Sequence, residues 1–203
     1  MQNLINNIWV YVLIIFLGYL AGSIPTGFWI GLVFYKKDIR KFGSGNIGAT
    51  NAMRVLGKIP GVIALIVDAL KGFIPVFLTK YYLPDDYTYL PLLVGISAIF
   101  GHLFSIFLLF KGGKGVATGT GVYLALAPIP TVIAGVIFLI TAFSTRMVSV
   151  GSISAAITLA ILTLFFYKND IIFVIATFLI AILVVYKHRS NIQRIIRGEE
   201  NRF

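Results

Sequence analysis

The sequence predicts an all-α integral membrane protein of seven transmembrane helices, with the N-terminus outside and the C-terminus in the cytoplasm. Three observations lead there. Of the 203 residues, 59% are apolar and 12% charged, against about half and about a quarter in soluble domains. The mean hydropathy is +0.95, more apolar character than the core of one soluble domain can hide. Apolar stretches long enough to cross a bilayer also recur along nearly the whole chain. This composition excludes a soluble enzyme and a disordered chain, and the absence of Cys excludes a disulfide scaffold. The net charge of +10 points to membrane orientation and anionic headgroups before nucleic acid.

Six apolar blocks supply the spans: Ile8–Tyr35, Ile59–Thr79, Tyr89–Phe110, Val116–Phe143, Val150–Tyr167 and Ile171–Val185. The first has no preceding Lys or Arg and outruns a signal-peptide core, so it reads as a retained span. The fourth is broken by Pro128-Ile129-Pro130, which a straight helix does not tolerate. It is one kinked helix or two short ones, and the positive-inside rule decides between them. With two short helices, every Lys and Arg falls inside except Lys80 and Lys168 outside and Lys71 within a span. With one kinked helix, Arg146 and the basic C-terminal tail move outside and the charges split almost evenly. Seven spans are therefore expected. Two of them are halves of about 13 residues, short of the ~20 a perpendicular helix needs. No repeat or linker interrupts the chain, so 1–203 reads as one membrane domain. Small residues four apart, Gly27/Gly31 and Gly115/Gly119, predict close helix contacts.

Three polar segments face the cytoplasm in this topology. The first runs Gly43-Ser44-Gly45-Asn46-Ile47-Gly48-Ala49-Thr50-Asn51 and is followed by Arg54. Such a loop can converge backbone N–H groups into a phosphate nest with Arg54 as countercharge, or it is only a flexible turn. The second, Lys111-Gly112-Gly113-Lys114-Gly115, stands before a span beginning Val116-Ala117-Thr118. Its lysines add charge at a helix N-terminus, or merely obey the positive-inside rule. It is not a nucleotide-binding P-loop, since Leu108 and Gly115 occupy positions that motif reserves for Gly and for Ser or Thr. The third comprises Arg146, Ser149 and Ser152 at three-residue spacing, expected on one helix side, with His188-Arg189-Ser190-Asn191. His188 and Asn191 share a face at i, i+3, and the basic segment after them predicts a short interfacial helix.

Asp68 and Lys71 lie inside the second span. Intramembrane charges are costly and suggest function, but at i, i+3 these two can also neutralise each other as a structural pair. His102 does not open a His-x4-Asp acyltransferase motif, because Phe107 stands where the acid belongs. The acids Asp38, Asp68, Asp85, Asp86, Asp170, Glu199 and Glu200 form no metal-ligand spacing with the two His. No Gly-x-Ser-x-Gly elbow occurs. Whether Glu199 and Glu200 touch a site or only balance the basic tail is open.

The ordered set of motifs resembles the bacterial acyl-phosphate:glycerol-3-phosphate acyltransferases of the inner membrane, the PlsY type. The likeness covers most of the chain. It runs through Gly22-Ser23-Ile24-Pro25-Thr26-Gly27, Gly43–Asn51, Asp68-Ala69-Leu70-Lys71-Gly72, Gly101-His102, Phe110–Thr118, Arg146–Ser152 and His188–Ile192. The resemblance implies transfer of a fatty acyl group from acyl phosphate to the 1-hydroxyl of glycerol 3-phosphate, giving lysophosphatidic acid and phosphate in phospholipid synthesis. It implies a multi-pass protein of the bacterial inner membrane with its site facing the cytoplasm. No cofactor, metal, nucleic acid or acyl carrier protein is expected at the transfer step. The partners are the two substrates and membrane lipid, and a monomer suffices.

Both substrates carry phosphate, and acyl phosphate has a good leaving group. Direct transfer without a covalent enzyme intermediate therefore suits a chain without Cys. In this reading Ser44, Gly45, Asn46 and Lys114 hold the acyl-phosphate head, while Arg54, Ser152, His188 and Asn191 hold glycerol 3-phosphate. Asn51, Gly113, Arg146 and Ser149 complete the phosphate-binding set. His188 is a candidate general base, and a substrate phosphate oxygen is an equal one. The rivals are an anion transporter coupled through Asp68–Lys71 and a scaffold binding anionic lipid through its basic tail.

Overall fold

A computed structural model describes residues 8–83 and 89–203, and among them every regular element is helical. Asp85 and Asp86 lie outside the described residues. The chain groups into two compact units, the first ending at Leu126 and the second beginning at Ala127.

In the first unit, α1 (Ile8–Ser23) and α2 (Thr26–Tyr35) form a pair bent by 47°. The sequence reading took Ile8–Tyr35 as one unbroken block. The break lies at Pro25, which has no N–H for the helix ladder and starts α2 instead. After α2 come a 3-10 turn (Ile39–Lys41), α3 (Ala49–Leu56), α4 (Lys58–Tyr82), α5 (Leu90–Leu103) and α6 (Val116–Leu126). Here α1 packs on α5, while α4 packs on both α5 and α6.

The tightest helix contacts are not at the expected glycine pairs. Gly27 and Gly31 lie against the Ile47 and Lys37 carbonyls, so they admit loop backbone instead of another helix. Gly115 precedes its helix in the left-handed region at φ 81°, and Gly119 has only loose neighbours. The close approaches are Gly22 to the Ala98 carbonyl, Gly72 to the Thr118 carbonyl and Gly121 to the Ala69 carbonyl, each leaving no room for a methyl group.

The second unit holds α7 (Pro128–Thr145), α8 (Val148–Phe166), α9 (Ile171–Lys187) and α10 (Arg189–Ile196). Here α7 packs on α8 and α8 on α9. The side chain of Asp170 caps α9 by accepting from the Phe173 N–H at 3.0 Å. The short helix expected after His188 is α10, bent 54° from α9.

The fourth block does divide at Pro128, but unequally. α7 has 18 residues and is long and apolar enough to span. α6 has 11 residues, about 17 Å at the helical rise. Four helical stretches reach spanning length, Lys58–Tyr82, Leu90–Leu108, Pro128–Thr145 and Val148–Phe166, or six if each bent pair counts as one. Large apolar side chains such as Ile66, Phe77, Val132, Ile140, Leu164 and Ile182 face outward. An apolar exterior over helices whose backbone is satisfied internally is the surface a bilayer solvates, and the chain is a multi-pass integral membrane protein.

Candidate active site

Most of the polar residues singled out in the sequence fall on two loops of the first unit and in one group of the second. The first centres on the loop between the 3-10 turn and α3. Gly43 and Gly45 take φ of 60° and 70°, which let the chain double back at low strain. Asn51, in the first turn of α3, holds this loop from within. Its Nδ2 donates to the carbonyls of Ile39 (2.9 Å), Phe42 (3.2 Å) and Asn46 (2.8 Å), and its Oδ1 accepts from the Ser44 N–H (2.9 Å). At 1% exposure, Asn51 is turned toward the loop's own backbone. The sequence placed it among the phosphate ligands, whereas here its amide shapes the loop.

Part of the expected phosphate nest is correspondingly taken up from inside. The Gly45 N–H donates to Phe42 O at 3.0 Å, and the Gly48 N–H donates to Asn46 Oδ1 at 2.9 Å. Ser44 is half-buried and Arg54 is exposed on the last turn of α3, with its stem near Gly43.

The Lys111–Gly115 loop is anchored in a similar way. The N–H groups of Gly112 and Gly113 donate to Leu103 O (3.2 Å) and His102 O (2.9 Å) at the end of α5. Gly113 lies so close to the His102 ring that a Cβ there would collide with it. The N–H of Gly113, expected from sequence to meet phosphate, is thus taken by a carbonyl, and the glycine serves close packing. The half-buried Lys114 brings its charge to the residue pair just before α6.

The second cluster was only half visible in the sequence. Ser149 and Ser152 share one side of α8, but Arg146 does not join them. It caps α7 in the left-handed region at φ 58°, outside either helix. The Ser152 hydroxyl donates to Val148 O at 2.9 Å. His188 is 2% exposed, and its Nδ1 lies 2.8 Å from Val184 O. Because a carbonyl only accepts, the neutral ring carries its proton on Nδ1 and its lone pair on Nε2.

The residue that sequence reasoning left unassigned is Glu200. It is 9% exposed, and its Oε1 accepts from Ser149 Oγ (2.8 Å) and Asn191 Nδ2 (2.6 Å). Its Oε2 accepts from Arg194 Nε at 2.8 Å. Burial pushes this carboxyl up. The hydrogen bonds from Asn191, Ser149 and Arg194, with the Arg194 charge, outweigh that and hold it below its ordinary value. Three residues on, the Phe203 N–H donates to Arg146 O at 3.1 Å, and the Phe203 ring meets Phe143 edge-on at 5.8 Å. The tail therefore folds back onto the start of α8 and ties it to α10. An acid standing among five basic residues was the available signal, but nothing local points from it to Ser149.

Chemically, the two clusters offer cations and hydroxyls. Arg54, Lys114 and Arg194 are sources of positive charge, the serine oxygens can accept from substrate hydroxyls, and one imidazole can carry a proton. Among the described residues no three His, Asp or Glu come together as a metal would require.

Residues 12–198 match the family model described as glycerol-3-phosphate acyltransferase. A glycerol-3-phosphate acyltransferase of Fusobacterium nucleatum is 46% identical over 190 residues, covering 93% of this chain and 96% of that protein. One from Macrococcus caseolyticus is 48% identical over 188 residues, covering 93% and 94%. Among solved structures, PlsY, an integral membrane glycerol 3-phosphate acyltransferase, in its glycerol 3-phosphate form is 36% identical. It covers 96% of each chain, with a TM-score of 0.88. Its lysophosphatidic acid form gives a TM-score of 0.85.

Proposed function

The chain belongs to the glycerol-3-phosphate acyltransferase family, and from that membership and the two clusters we propose that it acylates the 1-hydroxyl of glycerol 3-phosphate using acyl phosphate. The observation that carries the acceptor is the likeness, over 96% of the chain, to a protein solved in a glycerol 3-phosphate form. The donor rests on chemistry. An acyl phosphate is a mixed anhydride whose leaving group is a stable anion, and the two loops of the first unit carry Ser44, Arg54 and Lys114 in a chain with no nucleophilic thiol.

The 1-hydroxyl attacks the acyl carbonyl, the carbonyl oxygen takes up the charge, and the C–O bond to phosphate breaks as the ester forms. The hydroxyl proton goes to His188 Nε2 or to a phosphate oxygen, and inorganic phosphate leaves. No covalent enzyme intermediate is needed, so catalysis comes from positioning and from cations facing the developing charge. Ser44, Gly45, Asn46 and Lys114 hold the acyl-phosphate head, with Asn51 and Gly113 shaping the loops that carry them. Ser152, His188 and Asn191 receive glycerol 3-phosphate. Glu200 keeps Asn191 and Ser149 in place, which makes it a positioning residue.

In topology, the bent α1–α2 pair, α4, α5, short α6, α7, α8 and α9 make seven spans. The N-terminus is outside, and the site faces the cytoplasm of the bacterial inner membrane. The 11 residues of α6 are accommodated by shielding from α4 and α5, which pack against it.

The test uses the detergent-purified protein with palmitoyl phosphate and glycerol 3-phosphate, without metal or ATP. Phosphate release that depends on glycerol 3-phosphate and yields lysophosphatidic acid is expected, and a folded preparation that releases none refutes the reading. His188→Ala then separates the two proton acceptors. A kcat that largely survives with a raised KM for glycerol 3-phosphate assigns the proton to substrate phosphate, and a collapsed kcat assigns it to His188.

A further inference from the structure

The Asp68–Lys71 pair of α4 is absorbed by neither cluster. Asp68 is 1% exposed and Lys71 7%, with Lys71 Nζ 2.7 Å from Asp68 Oδ1. Two further bonds reach the break between α1 and α2. Thr26 Oγ1 donates to Asp68 Oδ1 at 2.9 Å, and Lys71 Nζ donates to Ile24 O at 2.6 Å. At the break Ile24 O also accepts from the Thr26 N–H at 3.1 Å, so Lys71 adds a second donor to that carbonyl from another helix. A buried ion pair is weak evidence for stability, and this one is arranged around a backbone bend.

The bend lies next to the first loop. Gly27, the residue after Thr26, sits against the Ile47 carbonyl and near Ile39, and both isoleucines are buried. The same turn of α4 also faces α6. Gly72, next to Lys71, lies against the Thr118 carbonyl in the first turn of α6, and Ala69 O lies against Gly121. α6 begins directly after Lys114-Gly115.

We propose that the Asp68–Gly72 turn is a positioning element that sets the register of the Gly43–Asn51 loop against the Lys111–Gly115 loop. One helical turn holds the start of α2 through Asp68 and Lys71, and the start of α6 through Gly72. The importance of that register rests on the acyl-transfer reading, in which both loops hold the acyl-phosphate head. The pair then acts by geometry and carries neither proton nor ion.

The chain has no Cys, so Thr50→Cys and Lys111→Cys, both at exposed positions, give a clean spin-label pair reporting the distance between the loops. Lys71→Met removes the donors at nearly constant volume, and Thr26→Val removes one hydrogen bond without leaving a charge unpaired. Both should shift or broaden the distance distribution. KM for acyl phosphate should rise and kcat/KM fall, about tenfold or more for Lys71→Met and about threefold for Thr26→Val. Asp68→Asn keeps Oδ1 as acceptor for both donors but leaves the Lys71 ammonium without its counter-charge, so its distance shift and its fall in kcat/KM should lie between those of Thr26→Val and Lys71→Met.

The proposal is overturned if folded variants show the parental distance, whether or not they lose activity. It is also overturned if Asp68→Asn alone abolishes turnover at an unchanged distance, as a proton- or ion-coupling pair would. If Lys71→Met does not fold, Thr26→Val decides, and parental distance with parental KM overturns the proposal. A parent protein inactive with both substrates refutes the acyl-transfer reading instead, while the distances still report on the register.

Discussion

The first loop and the C-terminal cluster solve one problem by opposite means. Around Gly43–Asn51 a neutral amide does the organising, and the partners of Asn51 lie within twelve residues of it. Around Ser149, Asn191 and Arg194 a carboxylate does it, and Ser149 is 51 residues from Glu200. The loop is a local structure whose hub, Asn51, bonds to backbone groups. In the tail, Glu200 engages Arg194 directly. The difference predicts that the loop tolerates changes in pH and salt better than the tail does, because a neutral hydrogen-bond hub neither titrates nor is screened.

Breaking the tail should cost most. Glu200→Ala leaves Asn191, Ser149 and Arg194 without their shared acceptor, and kcat/KM should fall about 100-fold with a lowered Tm. Glu200→Gln keeps Oε1 as an acceptor but loses the charge and should fall about tenfold. Breaking the loop comes next. Asn51→Asp turns a carboxylate toward three carbonyls and should lose about 30-fold, more than Asn51→Ala at about tenfold. Steady-state kinetics on detergent-purified variants checks both orders.

A pH series sharpens the contrast. The Glu200 carboxyl lies below its ordinary value of 4.5 when folded, so its contribution to stability is complete above that value. It is lost as pH falls through the depressed one. Between pH 6 and the acid limit, the parent should therefore lose Tm more steeply than Glu200→Gln, and Asn51→Ala should follow the parent's slope.

The smallest effect is expected where charge is exposed. Arg40 donates to Asp38 at 2.8 Å, and that side-chain hydrogen bond first, then the Arg40 N–H and the nearby charge, outweigh burial and hold the Asp38 carboxyl below its ordinary value. The Arg40 side chain is 44% exposed, and Arg40→Ala should change kcat/KM by less than about twofold.

The same contrast explains what the sequence could reveal. Ser44, Asn46, Asn51 and Arg54 were recognisable because their chemistry is packed into one short window. Glu200 was not, because its partner is set by how the tail returns to α8, and no local spacing encodes that return. The break at Pro128 was legible while its lengths were not. α7 continues past Phe143 to a left-handed Arg146 that no propensity announces. The break at Pro25 carried the same proline signal and was lost in a hydropathy sum that treats Ile8–Tyr35 as uniformly apolar. The glycine nests looked open because sequence shows which N–H groups exist and not which carbonyls, such as those of His102 and Leu103, will claim them.

The most direct test of this division is the pair of KM values in Asn51→Ala and Glu200→Gln, measured with palmitoyl phosphate and glycerol 3-phosphate varied in turn. The account predicts that Asn51→Ala chiefly raises KM for acyl phosphate and Glu200→Gln chiefly raises KM for glycerol 3-phosphate. Equal rises for both substrates in both variants, or the reverse pairing, would contradict it.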